Sequence, residues 1–149
     1  MKGERMLPPT YLYLSIVIMA VLHFLFPVVK VIPFPWNLLG AVPLALGVVI
    51  NILADSAFKK QETTVKPFEE SKTLIMSGVF RISRHPMYIG FVLILIGLAV
   101  LMGTLTPYLV IVVFAFLMDF IFIRGEERML EETFGENWLK YKKKVRRWI

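Results

Sequence analysis

The sequence predicts an all-α integral membrane protein with four transmembrane helices and a C-terminal amphipathic helix on the cytoplasmic side. The first observation is composition: the 149 residues are 57% hydrophobic and 19% charged, whereas about a quarter of the residues of a soluble domain are charged. The second is that apolar runs recur at about the 20 residues needed to cross a bilayer. Because backbone polar groups in lipid must be paired internally, these runs are expected to be helices.

The four predicted spans cover about residues 10–29, 36–58, 86–105 and 107–123 of a single membrane domain, 1–149. His23 in the first span is expected to serve helix packing. Asn51, Asp55 and Asp119 fall toward the cytoplasmic ends of the second and fourth spans. Charged groups inside spans are costly and often functional, but Asp55 can equally pair with Lys59 one turn later, and Asp119 with a nearby basic residue.

Lysine and arginine predict the orientation of the chain. They concentrate in the N-terminal segment, in the loop 59–85 and in the tail beyond Arg124, while Lys30 is the basic residue predicted on the other side. The positive-inside rule then places both termini and that loop in the cytoplasm. The net charge of +6 is explained by loops near anionic lipid, so no nucleic acid partner is expected. With no cysteine and two histidines far apart, no metal site is expected.

The tail 125–149 has the pattern of an amphipathic helix. Apolar residues recur every three or four positions, at Leu130, Phe134, Trp138, Tyr141, Val145 and Trp148. Glutamates crowd the first half and basic residues the second, an order that matches the helix dipole. We therefore expect an interfacial helix with its basic end against lipid head groups, bent or broken at Gly135.

The third span begins with a polar motif that a simple membrane anchor does not need, RHPMYIG, from Arg84 to Gly90. Pro86 suits the first turn of a helix, where its missing N–H costs nothing. The N–H groups of that turn, together with Arg84 and His85, form a candidate anion site facing the cytoplasm. Anchoring at the membrane interface by arginine and tyrosine is the alternative interpretation.

A second polar cluster, Arg124, Glu126 and Glu127, directly follows the fourth span. The third and fourth spans are joined by a short turn, so Pro86 and Arg124 are expected at the same membrane face. Carboxylates beside an anion site suit a zwitterionic ligand, whose carboxylate would meet the helix N-terminus and whose ammonium would meet a glutamate. Glutamate is also favoured in the first turn of any helix, which leaves a purely structural role as the alternative.

These motifs resemble those of the isoprenylcysteine carboxyl methyltransferase family and, more loosely, of the membrane phospholipid methyltransferases. The similar segments are TLIMSGVFRISRHPMYIG and EERMLEETFGENWLKYKKKV, within about residues 72–145. The resemblance implies S-adenosylmethionine as cofactor. The residues that it implies for cofactor binding are Lys72, Thr73, Leu74, Ile75, Phe80, His85, Pro86, Met87, Tyr88 and Glu126.

The resemblance also implies methyl transfer to a lipophilic acceptor, such as an isoprenylcysteine carboxylate. It further implies that an arginine shortly before the glutamates contacts that carboxylate, but this chain has Phe122 there and Arg124 two residues later. Arg124 and Glu127 are therefore the candidate catalytic residues. The alternatives are an amine acceptor such as a phospholipid head group, which an acidic cavity from Asp55 and Asp119 would favour, and a non-enzymatic membrane scaffold. The expected partners are a lipophilic or lipid-modified substrate and membrane lipids.

Overall fold

The computed structural model describes residues 6–62 and 73–149, and all regular structure within them is helical apart from one isolated bridge, between Lys30 and Thr104. The α-helices are α1 (Pro8–Leu25), α2 (Ala41–Lys60), α3 (Pro86–Met102), α4 (Thr106–Leu117), α5 (Arg124–Phe134) and α6 (Glu136–Lys144). Short 3₁₀ turns precede α2 and α3, at Trp36–Gly40 and Gly78–Arg81.

Within the described residues, three helices are long and apolar enough to cross a membrane: Pro8–Leu25, Trp36–Lys60 and the continuous helix Thr106–Phe134. Helix α3 is apolar but shorter, with 17 residues. The chain is therefore an integral membrane protein with an all-helical fold, as the sequence predicts.

The first helix ends at Leu25, earlier than the predicted limit near residue 29. The reason is Pro27, which disfavours helical backbone at the residue before it. The connection that follows is anchored to the turn between α3 and α4, because the Val31 N–H donates to the Gly103 carbonyl oxygen at 2.8 Å. At the same end of the bundle, the ring Nδ1 of His23 and the hydroxyl oxygen of Thr104 are hydrogen-bonded at 2.8 Å, which is the packing role expected of His23.

Helices α2 and α3 run antiparallel and approach each other closely through paired glycines. A Cβ atom added to Gly40 would clash with the carbonyl oxygen of Gly97, and one added to Gly47 would clash with that of Gly90. Small residues at such contacts let the backbones of membrane helices come together, which strengthens their packing. This contact fixes the position of α3 and therefore of the polar motif that begins it.

Between α4 and α5 the helix passes through a π-helical segment, Met118–Ile123. Segments of this kind are frequent at functional sites. Phe122 within it is buried in the main core, where its ring lies 5.5 Å from that of Tyr11 and 6.5 Å from that of Tyr88. The position at which the resemblance implies an arginine is thus part of the hydrophobic core.

The tail has the break expected at Gly135 but differs from the helix predicted over 125–149 in where it ends. It forms α5 and α6, separated at Gly135, whose φ of 53° favours glycine. Helix α6 ends at Lys144, and residues 145–149, which we call the C-terminal strap, continue from extended backbone at Val145. The apolar stripe packs on the protein itself, in a cluster that contains Leu74, Leu130, Phe134, Trp138, Tyr141 and Val145.

Candidate active site

His85 lies between two carboxylates at the start of α3. Its ring Nε2 is 3.1 Å from Glu127 Oε1, and its Nδ1 is 3.4 Å from Glu126 Oε2. His85 and Glu127 are each only 5% exposed. The short turn between α3 and α4 returns the chain to the same face of the bundle, and this brings the two predicted polar clusters into direct contact.

The two glutamates favour the protonated imidazole of His85. Burial by itself would lower the pKa of His85, but hydrogen bonds and charge from Glu126 and Glu127 outweigh it and raise that pKa. Both ring nitrogens can then donate, one to each carboxylate. The site therefore favours a buried cation between two carboxylates.

Glu126 is oriented by Tyr88 as well as by His85. The Tyr88 hydroxyl donates to Glu126 Oε1 at 2.7 Å. The Tyr88 ring is packed edge-on to Phe91 and nearly parallel to Phe122. Since the Glu126 side chain is 20% exposed, part of this carboxylate is open to a ligand while its direction is set by two hydrogen bonds.

Glu127 is surrounded by three cationic side chains from two parts of the chain, the start of α3 and the C-terminal strap. Besides His85, the Arg84 guanidinium approaches Glu127 Oε1 at 3.3 Å. Arg147 of the C-terminal strap donates to both oxygens of Glu127, from Nη2 to Oε2 at 2.8 Å and from Nε to Oε1 at 3.3 Å. Charge-assisted hydrogen bonds of this forked kind hold a carboxylate in a defined orientation.

Arg84 also offers donors that are not used within the described residues. Its Nε and Nη1 are buried there without a hydrogen-bond partner, as is the indole N–H of Trp138. The two side chains are adjacent, with the guanidinium carbon 5.6 Å from the Trp138 ring centroid. Burial lowers the pKa of Arg84, but a guanidinium stays protonated at physiological pH. Buried donors without a partner are costly, so this corner is suited to an anionic group.

The comparisons with known proteins identify the family of this chain. The sequence model of the phospholipid methyltransferase family matches residues 36–137, more than half of the chain. The chain belongs to the phospholipid methyltransferase family. The matched region contains both polar motifs, whereas Trp138 and Arg147 of the site lie beyond it.

Two curated relatives are named protein-S-isoprenylcysteine O-methyltransferase. The Saccharomyces cerevisiae protein is 35% identical over 136 residues, an alignment that covers 82% of this chain and 54% of the yeast protein. The Xenopus laevis protein is 42% identical over 79 residues, which cover 51% of this chain and 26% of that protein. The chain thus spans about half the length of the yeast relative. These names confirm the resemblance to the isoprenylcysteine branch of the family.

A third relative carries no functional name. An uncharacterized protein of Haemophilus influenzae is 35% identical over 63 residues, which cover 42% of this chain and 100% of that protein. No solved structure matches the chain.

The remaining residues that the family resemblance implies for cofactor binding are placed as follows. Pro86 is buried in the first turn of α3. Ile75, Phe80 and Met87 belong to an apolar cluster against α2, and the hydroxyl of Tyr141 donates to the Phe80 carbonyl oxygen at 2.6 Å.

Leu74 packs in the apolar cluster of the tail, and Thr73 is half-buried next to it in sequence. Lys72 lies outside the described residues. The structure thus brings His85, Tyr88, Glu126 and Glu127 into one polar site. The apolar residues implied for cofactor binding pack beside this site, between α2 and the tail, and their role in the family site stays a prediction.

Arg124 does not contact Glu127 in the described part of the chain. Its side chain is 55% exposed, pairs with Asp119 at 3.3 Å and has its guanidinium carbon 4.2 Å from the Phe120 ring centroid. It does border a cavity of about 520 Å³ that Glu127 also lines. The residues that line this cavity are Arg124, Glu127, Arg128, Glu131, Glu132, Lys142 and Arg147.

The other polar residues of the predicted spans have structural partners. Asp55 pairs with Lys59 at 2.7 Å, and the Asn51 side-chain N–H donates to the Gly47 carbonyl oxygen at 2.9 Å. Asp119 pairs with Arg124 and with Arg147. For Asp55 and Asp119, the sequence analysis left open either a functional role or an ion pair with a basic residue, and the structure has the ion pairs.

Two residues of the site were not expected from the sequence, Ser83 and Arg147. Ser83 is 1% exposed, and its hydroxyl accepts the His85 N–H at 3.0 Å. Arg147 was one of several basic residues of the tail. Arg146 lies between the same apolar residues, Val145 and Trp148, and is exposed, so no sequence signal singled out Arg147.

Proposed function

We propose that this chain is an integral membrane methyltransferase that uses S-adenosylmethionine to methylate a lipophilic acceptor, namely the carboxylate of an isoprenylcysteine. The observation that carries the proposal is the buried contact of His85 with Glu126 and Glu127. This contact joins the two family motifs in one polar site. The names of the yeast and Xenopus relatives support a lipid-modified protein as the substrate.

The residues of the site fit the amino-acid end of S-adenosylmethionine, which carries a carboxylate and an ammonium group. Arg84 has two buried donors without a partner in the described part of the chain, and these suit a carboxylate. Glu126 is oriented and partly exposed, which suits an ammonium group. We therefore assign the cofactor carboxylate to Arg84. From the family resemblance, we assign the binding of the cofactor to Lys72, Thr73, Leu74, Ile75, Phe80, His85, Pro86, Met87, Tyr88 and Glu126.

When bound, S-adenosylmethionine supplies a methyl group on a positively charged sulfur, which is open to in-line attack. The chain has to orient the reactants and to exclude water, and positioning of this kind contributes several kcal/mol to catalysis. A carboxylate acceptor is already ionised at neutral pH, so no residue has to remove a proton from it. This agrees with a Glu127 that is held by three cations rather than free to act as a base.

Arg124 and Glu127 are the residues that we assign to the acceptor end of the site. Both line the cavity of about 520 Å³, and Arg124 presents an exposed guanidinium to it. A guanidinium can bind a carboxylate with two parallel hydrogen bonds. Arg124 is therefore the proposed contact of the acceptor carboxylate. The resemblance implies an arginine at position 122, but Phe122 at that position is buried in the core.

The proposed membrane arrangement has four spans, α1, α2, α3 and the apolar part of the helix that begins with α4. Helix α3 is included because its 17 residues rise about 25 Å and because it packs against α2 through both pairs of glycines. The positive-inside rule then places both termini in the cytoplasm, with α5 and α6 as an amphipathic cytoplasmic tail at the membrane surface.

An amine acceptor such as a phospholipid head group is the second candidate, favoured by the name of the family. An amine would need an acidic cavity, but Asp55 is neutralised by Lys59, and Asp119 by Arg124 and Arg147. These pairs favour the acid over the amine. A non-enzymatic scaffold has no need for a buried histidine between two carboxylates.

The decisive experiment is methyl transfer by the purified chain in detergent. Labelled S-adenosylmethionine is supplied with either N-acetyl-S-farnesylcysteine or phosphatidylethanolamine. We expect label in the farnesylcysteine product as a base-labile methyl ester. Label in the phospholipid alone would assign the amine chemistry, and no transfer to either acceptor would refute the proposed acceptor class.

A further inference from the structure

We propose that Arg147 is a positioning residue of this site: from the C-terminal strap, it holds the Glu127 carboxylate beside His85 and ties it to Asp119 of the π-helical segment. The inference rests on the proposed function, because the reaction that Arg147 would serve is the proposed methyl transfer. It goes beyond that function by making the C-terminal strap part of the active site.

The guanidinium of Arg147 contacts two acidic side chains at once. Arg147 donates to both Glu127 oxygens, and its Nη1 donates to Asp119 Oδ1 at 3.2 Å. One planar group thus bridges α5 and the π-helical segment. A lysine at this position would keep the charge but could not reproduce the planar fork.

The two oxygens of Glu127 have different sets of partners. Arg84 and His85 both approach Oε1. Within the described residues, the hydrogen bond to Oε2 comes from Arg147. Since the Glu127 side chain is only 7% exposed, removal of Arg147 would leave Oε2 buried without that partner. The carboxylate could then turn about its own axis, and its orientation toward His85 would be lost.

The C-terminal strap is attached to the residues that precede His85. The Ser83 hydroxyl donates to the Arg147 carbonyl oxygen at 3.0 Å and also accepts the N–H of His85. The Arg84 N–H donates to the Arg146 carbonyl oxygen at 3.0 Å. The strap is therefore fixed by the residues that directly precede His85, so the positions of Arg147 and His85 are coupled through the backbone.

Arg146 offers a matched control. It has the same charge and is the neighbour of Arg147 in the strap, but its side chain is exposed and makes no polar contact with the described residues. The contact of Arg146 with Arg84 uses its backbone oxygen, which Arg146→Ala retains. A general loss of positive charge from the tail would affect both variants, whereas loss of positioning would affect Arg147→Ala alone.

The experiment compares wild type, Arg147→Ala, Arg147→Lys and Arg146→Ala as full-length chains in detergent. It measures S-adenosylmethionine affinity and kcat/KM for N-acetyl-S-farnesylcysteine. Loss of hydrogen bonds to a buried charge predicts a decrease in kcat/KM of roughly 30-fold for Arg147→Ala. Arg147→Lys should recover part of the loss, and Arg146→Ala should stay within about twofold of wild type.

A pH profile supplies a readout that a merely structural role would not change. The groups that face His85 or its carboxylate partners are Glu126, Glu127, Tyr88, Arg84 and Arg147. Without Arg147, Glu127 loses its orientation toward His85 and with it a hydrogen bond that raises the pKa of His85, so His85 loses its proton at lower pH. We expect the alkaline limb of the kcat/KM profile to move to lower pH in Arg147→Ala and to stay in place in Arg147→Lys.

The outcomes separate the two proposals. A wild-type chain that neither binds S-adenosylmethionine nor transfers methyl overturns the proposed function. If wild type is active, the positioning role is overturned when Arg147→Ala has the same kcat/KM and the same alkaline limb as Arg146→Ala. Should Arg147→Ala fail to stay monodisperse, Arg147→Lys carries the test, and a Lys variant equal to wild type in affinity and kcat/KM overturns the inference.

Discussion

Glu127 Oε1 lies 3.1 Å from His85 Nε2, although 42 residues separate the two along the chain. This contact closes the bundle at one face, because His85 begins α3 and Glu127 belongs to the first turn of α5. It also joins the two motifs of the phospholipid methyltransferase family. The predictions below test what this contact contributes, what holds α3 in place, and which residue meets the acceptor.

The first prediction concerns pH. The raised pKa of His85 means that its ion pairs stabilise the fold fully below the ordinary histidine pKa of about 6.5. Their contribution is lost as pH rises through the raised pKa of the folded state. The thermal midpoint of wild type should therefore exceed that of His85→Asn at neutral pH, and the difference should shrink in alkaline buffer. A difference that does not depend on pH would show that His85 is not charged in the folded protein.

The second prediction concerns the glycine contact between α2 and α3. Gly47→Ala places a methyl group against the Gly90 carbonyl oxygen, which is backbone and cannot move aside. We expect destabilisation of about 1–3 kcal/mol, measured as loss of thermal stability in detergent. Val49→Ala, at a position 50% exposed on the same helix, is the control and should cost much less. Equal effects would mean that the helices do not touch through Gly47.

The third prediction concerns Phe122. Introducing the arginine that the family resemblance implies, by Phe122→Arg, would place a charge in a core position that is 1% exposed. Burial of an unpaired charge costs several kcal/mol, so the variant should unfold or aggregate rather than gain activity. Phe122→Leu, which keeps an apolar side chain, should remain folded. A folded and more active Phe122→Arg variant would contradict the core position of this residue.

The fourth prediction concerns Arg124. If Arg124 meets the acceptor carboxylate, Arg124→Ala should raise KM for N-acetyl-S-farnesylcysteine by roughly tenfold, the loss of about one charge-assisted hydrogen bond. Its affinity for S-adenosylmethionine should stay unchanged, because Arg124 does not contact His85 or Glu126 in the described residues. Lys140→Ala removes an exposed charge from α6 and serves as the control. An unchanged KM would assign the acceptor contact to another residue.

The fold and the meeting of the two motifs could be predicted because both follow from short-range rules. Apolar runs of membrane length predict helices, and a short turn between two of them predicts an antiparallel hairpin. His85 and Glu126 then had to lie at the same face. The pairing of Asp55 with Lys59 is similarly local, since the two residues are one turn apart.

What could not be predicted depends on long-range contacts or on irregular backbone. Phe122 points into the core from a π-helical segment. A π-helix departs from the 3.6-residue period of an α-helix, so that period does not predict which way Phe122 points. The position of Arg147 depends on hydrogen bonds from Ser83 and Arg84 to the backbone of the C-terminal strap, and periodicity carries no information on such contacts. The same holds for the packing of Trp138 and Tyr141 on the protein instead of on lipid.

The most direct measurement is calorimetric binding of S-adenosylmethionine to the purified chain in detergent. The comparison uses His85→Ala, Glu126→Ala and, as control, Glu136→Ala, which removes an exposed carboxylate at the start of α6. Glu126→Ala removes the proposed partner of the cofactor ammonium group, and His85→Ala removes a side chain that orients Glu126. We therefore expect the affinity for S-adenosylmethionine to fall at least about tenfold in each variant. Glu136→Ala should bind like wild type. Undiminished binding in folded His85→Ala and Glu126→Ala would contradict the proposal that these two residues form the cofactor site.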